Sequence, residues 1–412
     1  MQINFAEAKV AIPITFNTQK MSKWKKLLHK VTNNVETKFD DLSNRLTNRL
    51  KLLDKIQIVI YNSYSNEKCV YIKGRVLEDK NIKKATDEDS IVDNLLRTYK
   101  RLESDEVPHA LMEVEFRGIK KEVRSDEEGL FELAFEFDEP ITYSSKRHIF
   151  KMRLLDFPVN SEVNAHGTEG EIFLPPSNAD YGIISDVDDT IMRTDATSLF
   201  RMAWTTFTKN AKTRIAFKGV GKFYQALKAG PTRENNNPFF YVSSSPWNLY
   251  DLIHDFIDLN QIPDGPLLLR DYGIDDTKFI TSTHGKHKRD EIEKIFKVYP
   301  TMKFILIGDS GQEDTFIYYN IAKDYPERVL AIYIRDAKVA DQEIRVKGMI
   351  KRALDEGFQM HLVPDSLAAA HHAVQQGLIH PDMLPPIEQS MLDEEKNDRE
   401  MDKMELEEGL DK

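Results

Sequence analysis

The sequence predicts an α/β protein: a parallel sheet flanked by helices, preceded by an antiparallel β-sandwich and an N-terminal amphipathic helix. Three observations predict it. Apolar residues recur at steps of three and four over residues 19–54, and at steps of two from Ile56 to about Leu174. From Tyr181 to about Asp336 they fall in short runs that alternate with helical stretches. Each period belongs to one kind of element: an amphipathic helix, half-buried strands, and βα units around a parallel sheet.

A chain of 412 residues has room for two or three domains, each able to bury a core. With 41% hydrophobic and 30% charged residues the composition is that of a globular protein. A net charge of −11 argues against capture of nucleic acid by the surface at large. Cys69 is the only cysteine, which leaves no intrachain disulfide and suits a reducing compartment. No apolar run approaches the roughly 20 residues that span a bilayer. The opening "MQINFAEAKVAIPITF" lacks the basic and apolar regions of a signal peptide. The expectation is a cytoplasmic protein.

Within residues 1–54, Trp24, Leu27, Leu28, Val31, Val35, Phe39, Leu42, Leu46, Leu50 and Leu53 line one helical face. Lys20, Lys23, Lys25, Lys26 and Lys30 surround Trp24 at its start. That face suits packing against the rest of the protein, with the lysines solvated, or peripheral contact with an anionic membrane.

Residues 55–175 carry the sandwich, in "IQIVIYNSY", "CVYIKGRVL", "ALMEVEFRG", "KKEVRSD", "GLFELAFEF" and "HIFKMRLLD". In "RSDEEGLFE", Asp126 and Gly129 supply the side-chain acceptor and positive φ of a turn. "DSIVDNLLRTYKRL" (89–102) reads as an inserted helix, and "PPSNAD" (175–180) as a linker. Residues 176–336 hold "YGIIS", "FFYVS", "PLLLR", "FILIG" and "LAIYI", separated by helices such as "GVGKFYQALKA" and "DEIEKIFKVY". Residues 337–386 read as C-terminal helices. Residues 387–412 form an acidic tail expected to be disordered or frayed helix; from Asp393 it holds ten acidic residues against four basic ones.

In an open parallel sheet, ligands bind at the carboxyl ends of the strands. After "YGIIS" come Asp186, Asp188, Asp189 and Thr190; after "FFYV" come Ser243, Ser244 and Ser245; after "FILIG" come Asp309, Ser310 and then Asp314. "HGKHKRDEI" places Lys288 at the start of a helix. These groups suit phosphoryl transfer through an aspartyl phosphate. One carboxylate attacks phosphorus, and a second two residues on moves the proton. Hard oxygen ligands hold Mg²⁺, while a hydroxyl and an ammonium hold the phosphoryl oxygens. Singly, each motif has a plainer reading: "DVDDT" as a helix cap, "VSSSP" and "GDSGQED" as turns, Lys288 as a surface lysine. A calcium loop fails, because Ile191 and Thr197 stand where Gly and Glu are required. "HGKH" is a weak metal pair without a third ligand. His361, His371, His372 and His380 read as helix-surface or core residues.

"IISDVDDT", a DxDxT pattern, with "YVSSSPWNLY", "HKRDEI" and "LIGDSGQED" resembles the haloacid-dehalogenase-like (HAD) hydrolase signature. That resemblance implies a Rossmann-like parallel sheet. More narrowly, "SDVDDTI", "VSSSPWNLYD", "GPLLLRDYG" and "FILIGDSGQEDTFIYYNIA" resemble the catalytic domain of the actin-patch phosphatidate phosphatase family. The resemblance implies Asp186 as nucleophile, Asp188 as general acid and base, Ser243 binding the phosphoryl group and Lys288 steadying it. It implies Mg²⁺ held by Asp186, Asp309 and the main-chain carbonyl of Asp188, with Asp314 supporting the metal. Ser244, Ser245, Trp247 and Arg270 would shape the site, and Asp189 would serve cap geometry. The segment 191–238 is short for a separate cap, so the site would be open to a large or membrane-bound phosphomonoester. The expected partner is a phosphorylated lipid, hydrolysed to diacylglycerol, or another phosphomonoester such as a nucleic-acid end or phosphoprotein. A non-catalytic binding module on the same fold is the third reading.

Overall fold

The computed structural model describes residues 56–78, 106–141, 148–155, 167–191, 218–270 and 282–410, apart from 62, 176–178, 189, 234–236, 312 and 338–339. The helices expected over 19–54 and 89–102, Asp189 and residues 192–217 lie outside the described residues. The described residues all fall in one compact unit.

Its first half is a sheet of eight strands: β1 (Ile56–Ile60), β2 (Ser63–Ser65), β3 (Cys69–Glu78), β4 (Leu111–Phe116), β5 (Ile119–Arg124), β6 (Leu130–Glu136), β7 (His148–Leu154) and β8 (Thr168–Phe173). The pairing order is β1-β3-β2-β8-β7-β4-β5, with β6 on the other edge of β3. All pairs are antiparallel except β2 with β8. The sandwich expected from the sequence is therefore corrected to one continuous sheet. It covers its own apolar face by curling: Phe116 of β4 and Phe135 of β6, near opposite ends of the pairing order, bring their ring centroids to 5.9 Å. Alternation along a strand says which side chains are buried, and is silent on which strand pairs with which. The turn before β6 forms as its residues require. Asp126 Oδ1 accepts the N–H groups of Glu128 and Leu130, both at 2.9 Å, and Gly129 takes φ of 76°.

The second half is a six-stranded, wholly parallel sheet: β9 (Gly182–Ser185), β10 (Phe239–Pro246), β11 (Leu267–Arg270), β12 (Phe304–Asp309), β13 (Val329–Arg335) and β14 (Met360–Val363). Their order is β11-β10-β9-β12-β13-β14. Both faces are covered, so the strands are apolar runs rather than alternations. Ile183, Tyr241, Ile305, Ile307 and Tyr333 face one core, under α1 (Val220–Ala229), α2 (Tyr250–Leu259) and α6 (Ser366–Gln375). Ile184, Val242, Leu306, Ile332 and Ile334 face the other, under α3 (Ser282–Val298), α4 (Asp314–Asp324) and α5 (Ala340–Asp355).

One expectation about the C-terminal region is corrected, and one of two alternatives for the tail is found. Residues 337–386 are not helices alone, because β14 adds a strand to the parallel sheet beside β13. Four residues are too few to show a period between two helices. The acidic tail is helical to Leu410 in α7 (Leu384–Leu410). Its first turns bury Ile387 completely, and Glu394 Oε2 accepts the Gly219 N–H at the start of α1 at 2.9 Å. A carboxylate is favoured at a helix N-terminus, which gives this stretch a docking place that composition does not reveal.

Candidate active site

The order of the parallel sheet reverses between β9 and β12, and the crevice outside the carboxyl ends of those strands is where doubly wound sheets bind ligands. The chain places its carboxylates there. Asp186 follows β9 and its N–H donates to Ile307 O of β12 at 2.8 Å. Asp309 ends β12, and Asp314 opens α4. Lys288 comes in from α3. The helix starts at Ser282, so Lys288 lies in its second turn rather than at its start, as the sequence suggested.

These side chains meet. Lys288 Nζ donates to Asp186 Oδ1 at 2.8 Å and also to Asp314 Oδ1. Thr190 Oγ1 donates to the other Asp186 oxygen at 3.1 Å. Asp314 Oδ2 accepts the Asp309 N–H at 3.3 Å, and Asp309 Oδ1 accepts the Gly311 N–H at 2.6 Å. Asp188 is held apart from this group by the end of β10: Ser243 Oγ donates at 2.6 Å, and Ser245 Oγ reaches both its oxygens at 2.9 and 3.1 Å. Ser243 Oγ in turn accepts the Ser245 N–H at 2.9 Å. Gly308 is required by close approach. A Cβ there would lie 2.4 Å from Asp314 Oδ2 and 2.7 Å from the Tyr318 ring.

Four buried carboxylates, Asp186, Asp188, Asp309 and Asp314, stand here with one buried ammonium, Lys288. Burial is the largest influence on Asp186 and raises its pKa. Lys288 opposes that rise, while Asp314, Asp188 and Asp309 add to it. Burial also works against the Lys288 charge, yet Asp186 and Asp314 outweigh it and hold the ammonium above its ordinary pKa. The raised carboxyl and the 2.8 Å ion pair pull in opposite directions. The ion pair decides, because a proton on Asp186 would leave a buried ammonium half compensated. Four carboxylates against one ammonium leave negative charge that a further cation would balance.

Asp186, Asp309 and Asp314 each offer an oxygen within 4.8 Å of the others, a hard donor set that fits Mg²⁺. The Asp188 carboxylate is outside that set, held by the serines. Asp314, expected only as a support, stands in the set itself. The sequence names Thr190 at the strand end without a role and assigns Ser245 only to shape; Thr190 meets Asp186 four residues back, whereas Ser245 meets Asp188 across a separation of 57. Burial pushes the His287 pKa down to about 4, and His287 Nε2 has no hydrogen-bond partner among the described residues.

Residues 181–336 match the family model for "Phosphatidate phosphatase APP1, catalytic domain". Phosphatidate phosphatase APP1 of Saccharomyces cerevisiae is 36% identical over 158 residues, 37% of this chain and 25% of that protein. Residues 181–336 belong to this catalytic-domain family. The match brackets the APP1-type domain from β9 to the end of β13 and includes all six expected site residues. An uncharacterized protein of Schizosaccharomyces pombe is 27% identical over 208 residues, 49% of this chain and 33% of its own length. The chain thus spans a quarter to a third of the curated relatives it matches. A carbohydrate acetylesterase of Xanthomonas citri aligns over 67% of this chain and 68% of its own, at 8% identity and a TM-score of 0.23, too slight a likeness to carry an argument. No helix among the described residues is long and apolar enough to cross a membrane.

Proposed function

We propose that the chain is a Mg²⁺-dependent phosphatase of the haloacid-dehalogenase-like type that hydrolyses phosphatidate to diacylglycerol and phosphate. The observation that carries the reading is the contrast between Asp186 and Asp188. Two carboxylates two positions apart have separate surroundings: Lys288 and Thr190 for one, two serine hydroxyls for the other. Such a division separates a nucleophile from a proton carrier.

Asp186 attacks phosphorus through a carboxylate oxygen, and the P–O ester bond breaks. The leaving alkoxide takes the proton from the Asp188 carboxyl. Water then attacks the aspartyl phosphate and gives its proton to Asp188. Orthophosphate leaves, and the Asp186 carboxylate is restored. Lys288 holds Asp186 toward the crevice and sets positive charge beside it. Ser243, expected to hold the phosphoryl group, also donates to Asp188 and orients it together with Ser245. Asp186, Asp309 and Asp314 would hold Mg²⁺, with the Asp188 main-chain carbonyl as the fourth protein ligand. When bound, the ion supplies the positive charge that lets a phosphate approach a carboxylate.

The lipid substrate is supported by what the budding-yeast relative is named for, over the part of it that this chain matches. Peripheral membrane contact through the basic segment around Trp24 belongs to the same proposal. The test is phosphate release from phosphatidate in mixed micelles and from a soluble phosphate ester, with Mg²⁺ or EDTA. Release from phosphatidate should need the metal and fall about 10³-fold or more in Asp186→Asn. Release from the soluble ester alone would keep the mechanism and discard the lipid. Release from neither by folded protein would discard both.

A further inference from the structure

The carboxyl end of β10 carries Ser243 and Ser245, and it is held weakly by its own sheet. Pairing between β10 and β11 shifts register between Val242 and Pro246, where the two serines stand. The N-terminal sheet reaches it through Trp247. Trp247, two residues beyond Ser245, is 3% exposed, and its indole N–H has no acceptor among the described residues. Ring contacts therefore keep it in place. Tyr61 stacks on it with centroids 4.5 Å apart and planes 19° apart, and Lys73 Nζ lies 4.6 Å from the ring centroid. Tyr250 closes the group, 4.4 Å from Tyr61 and 6.1 Å from Trp247. The two N-terminal residues are adjacent across the sheet, since the Tyr61 N–H donates to the Lys73 carbonyl at 3.0 Å.

We propose that Tyr61 and Lys73 are positioning residues for the reaction: by clamping Trp247 they fix the strand end whose serines hold Asp188. The inference rests on the reading of Asp188 as the proton carrier. It assigns the N-terminal sheet a part in catalysis although none of its residues touches the reacting atoms. Lys73 is itself steadied by Glu132, its register partner on β6, at 4.0 Å. The clamp is thus built into the sheet rather than laid on it.

The experiment measures kcat and KM of the full chain on water-soluble dibutanoyl phosphatidate at saturating Mg²⁺, well below each variant's Tm. Tyr61→Leu and Lys73→Met should each lower kcat by about 10-fold to 10²-fold, the scale of a small misplacement, with KM within about twofold. Tyr61→Phe, which keeps the stacked ring, should restore kcat. Wild-type kcat in both clamp variants, or a loss that follows only the folded fraction, would overturn the inference. So would Tyr61→Phe falling as far as Tyr61→Leu. Lys73 is partly exposed, so Lys73→Met carries the test if Tyr61→Leu does not fold. Asp188→Asn runs alongside. Undiminished turnover in that variant, or none in wild type, would remove the reading of the site and the inference with it. A large loss in Asp188→Asn beside intact clamp variants would remove the inference alone.

Discussion

Asp186 and Asp188 point to different neighbours because the backbone between them turns off β9, leaving one side chain to α3 and the other to β10. That division gives a prediction about leaving groups. Asp188→Asn should lower kcat/KM, which reports the steps through phosphoryl transfer, about 10²- to 10⁴-fold on an alkyl phosphate, whose alkoxide needs a proton. The loss should be much smaller on 4-nitrophenyl phosphate, whose leaving group departs as an anion. Equal losses of kcat/KM on both esters would place Asp188 outside proton transfer to the leaving group. Gly308 offers a second test at this scale. In Gly308→Ala the new methyl must displace Asp314 Oδ2 or the Tyr318 ring. Overpacking of this kind costs about 1–3 kcal/mol, and the displaced carboxylate should weaken Mg²⁺ binding as read by calorimetry. Unchanged metal affinity would separate Asp314 from the metal set.

At the scale of elements, β14 and α6 carry a pair of histidines that the reaction does not use. His361 and His372 lie with ring centroids 3.8 Å apart, and Tyr333 OH shares a hydrogen bond with His372 Nδ1 at 3.0 Å. Burial first, and the neighbouring His372 second, push the His361 pKa down to about 4. An unfolded histidine titrates near 6.5. Between those values the unfolded chain binds a proton that the native chain refuses. The stability present above pH of about 6.5 is therefore lost as the pH falls toward 4. Melting temperature followed from pH 7 to 4.5 should fall more steeply in wild type than in His361→Gln. Parallel curves would contradict the burial account.

For the whole molecule, the parallel sheet does not end where the family match ends. Residues 181–336 stop one strand short of the sheet edge, and α6 and α7 cover the core that includes Tyr333 and Ile387. Removing residues 337–412 would bare Ile332 and Ile334 on one face and Tyr333 on the other. The truncated chain should lose cooperative unfolding and collect in the insoluble fraction. A soluble product with a single sharp transition would show that β14 and its helices are an addition rather than part of the fold. The N-terminal sheet is bound to the same unit through Tyr64 against Phe240 and through Tyr299 OH, which donates to Ser65 O at 3.0 Å. Its removal should likewise reach the active site.

The amino-acid sequence by itself determined the periods, and so the kinds of element, and it placed Asp186, Asp188, Ser243 and Asp309 at strand ends, with Asp314 shortly after. Those properties depend on residues within a few positions of each other, where the chain's own geometry does the work. Tertiary structure decided the rest. It chose the pairing order that curls the first sheet, the docking of an acidic segment as α7, and the contacts of Ser243 and Ser245 with Asp188. Lys288 meets Asp186 across a sequence separation of 102, and Ser243 meets Asp188 across 55. No local period encodes contacts of that length. They exist because burying both faces of one parallel sheet brings strand ends and helices that are distant in the chain to one edge.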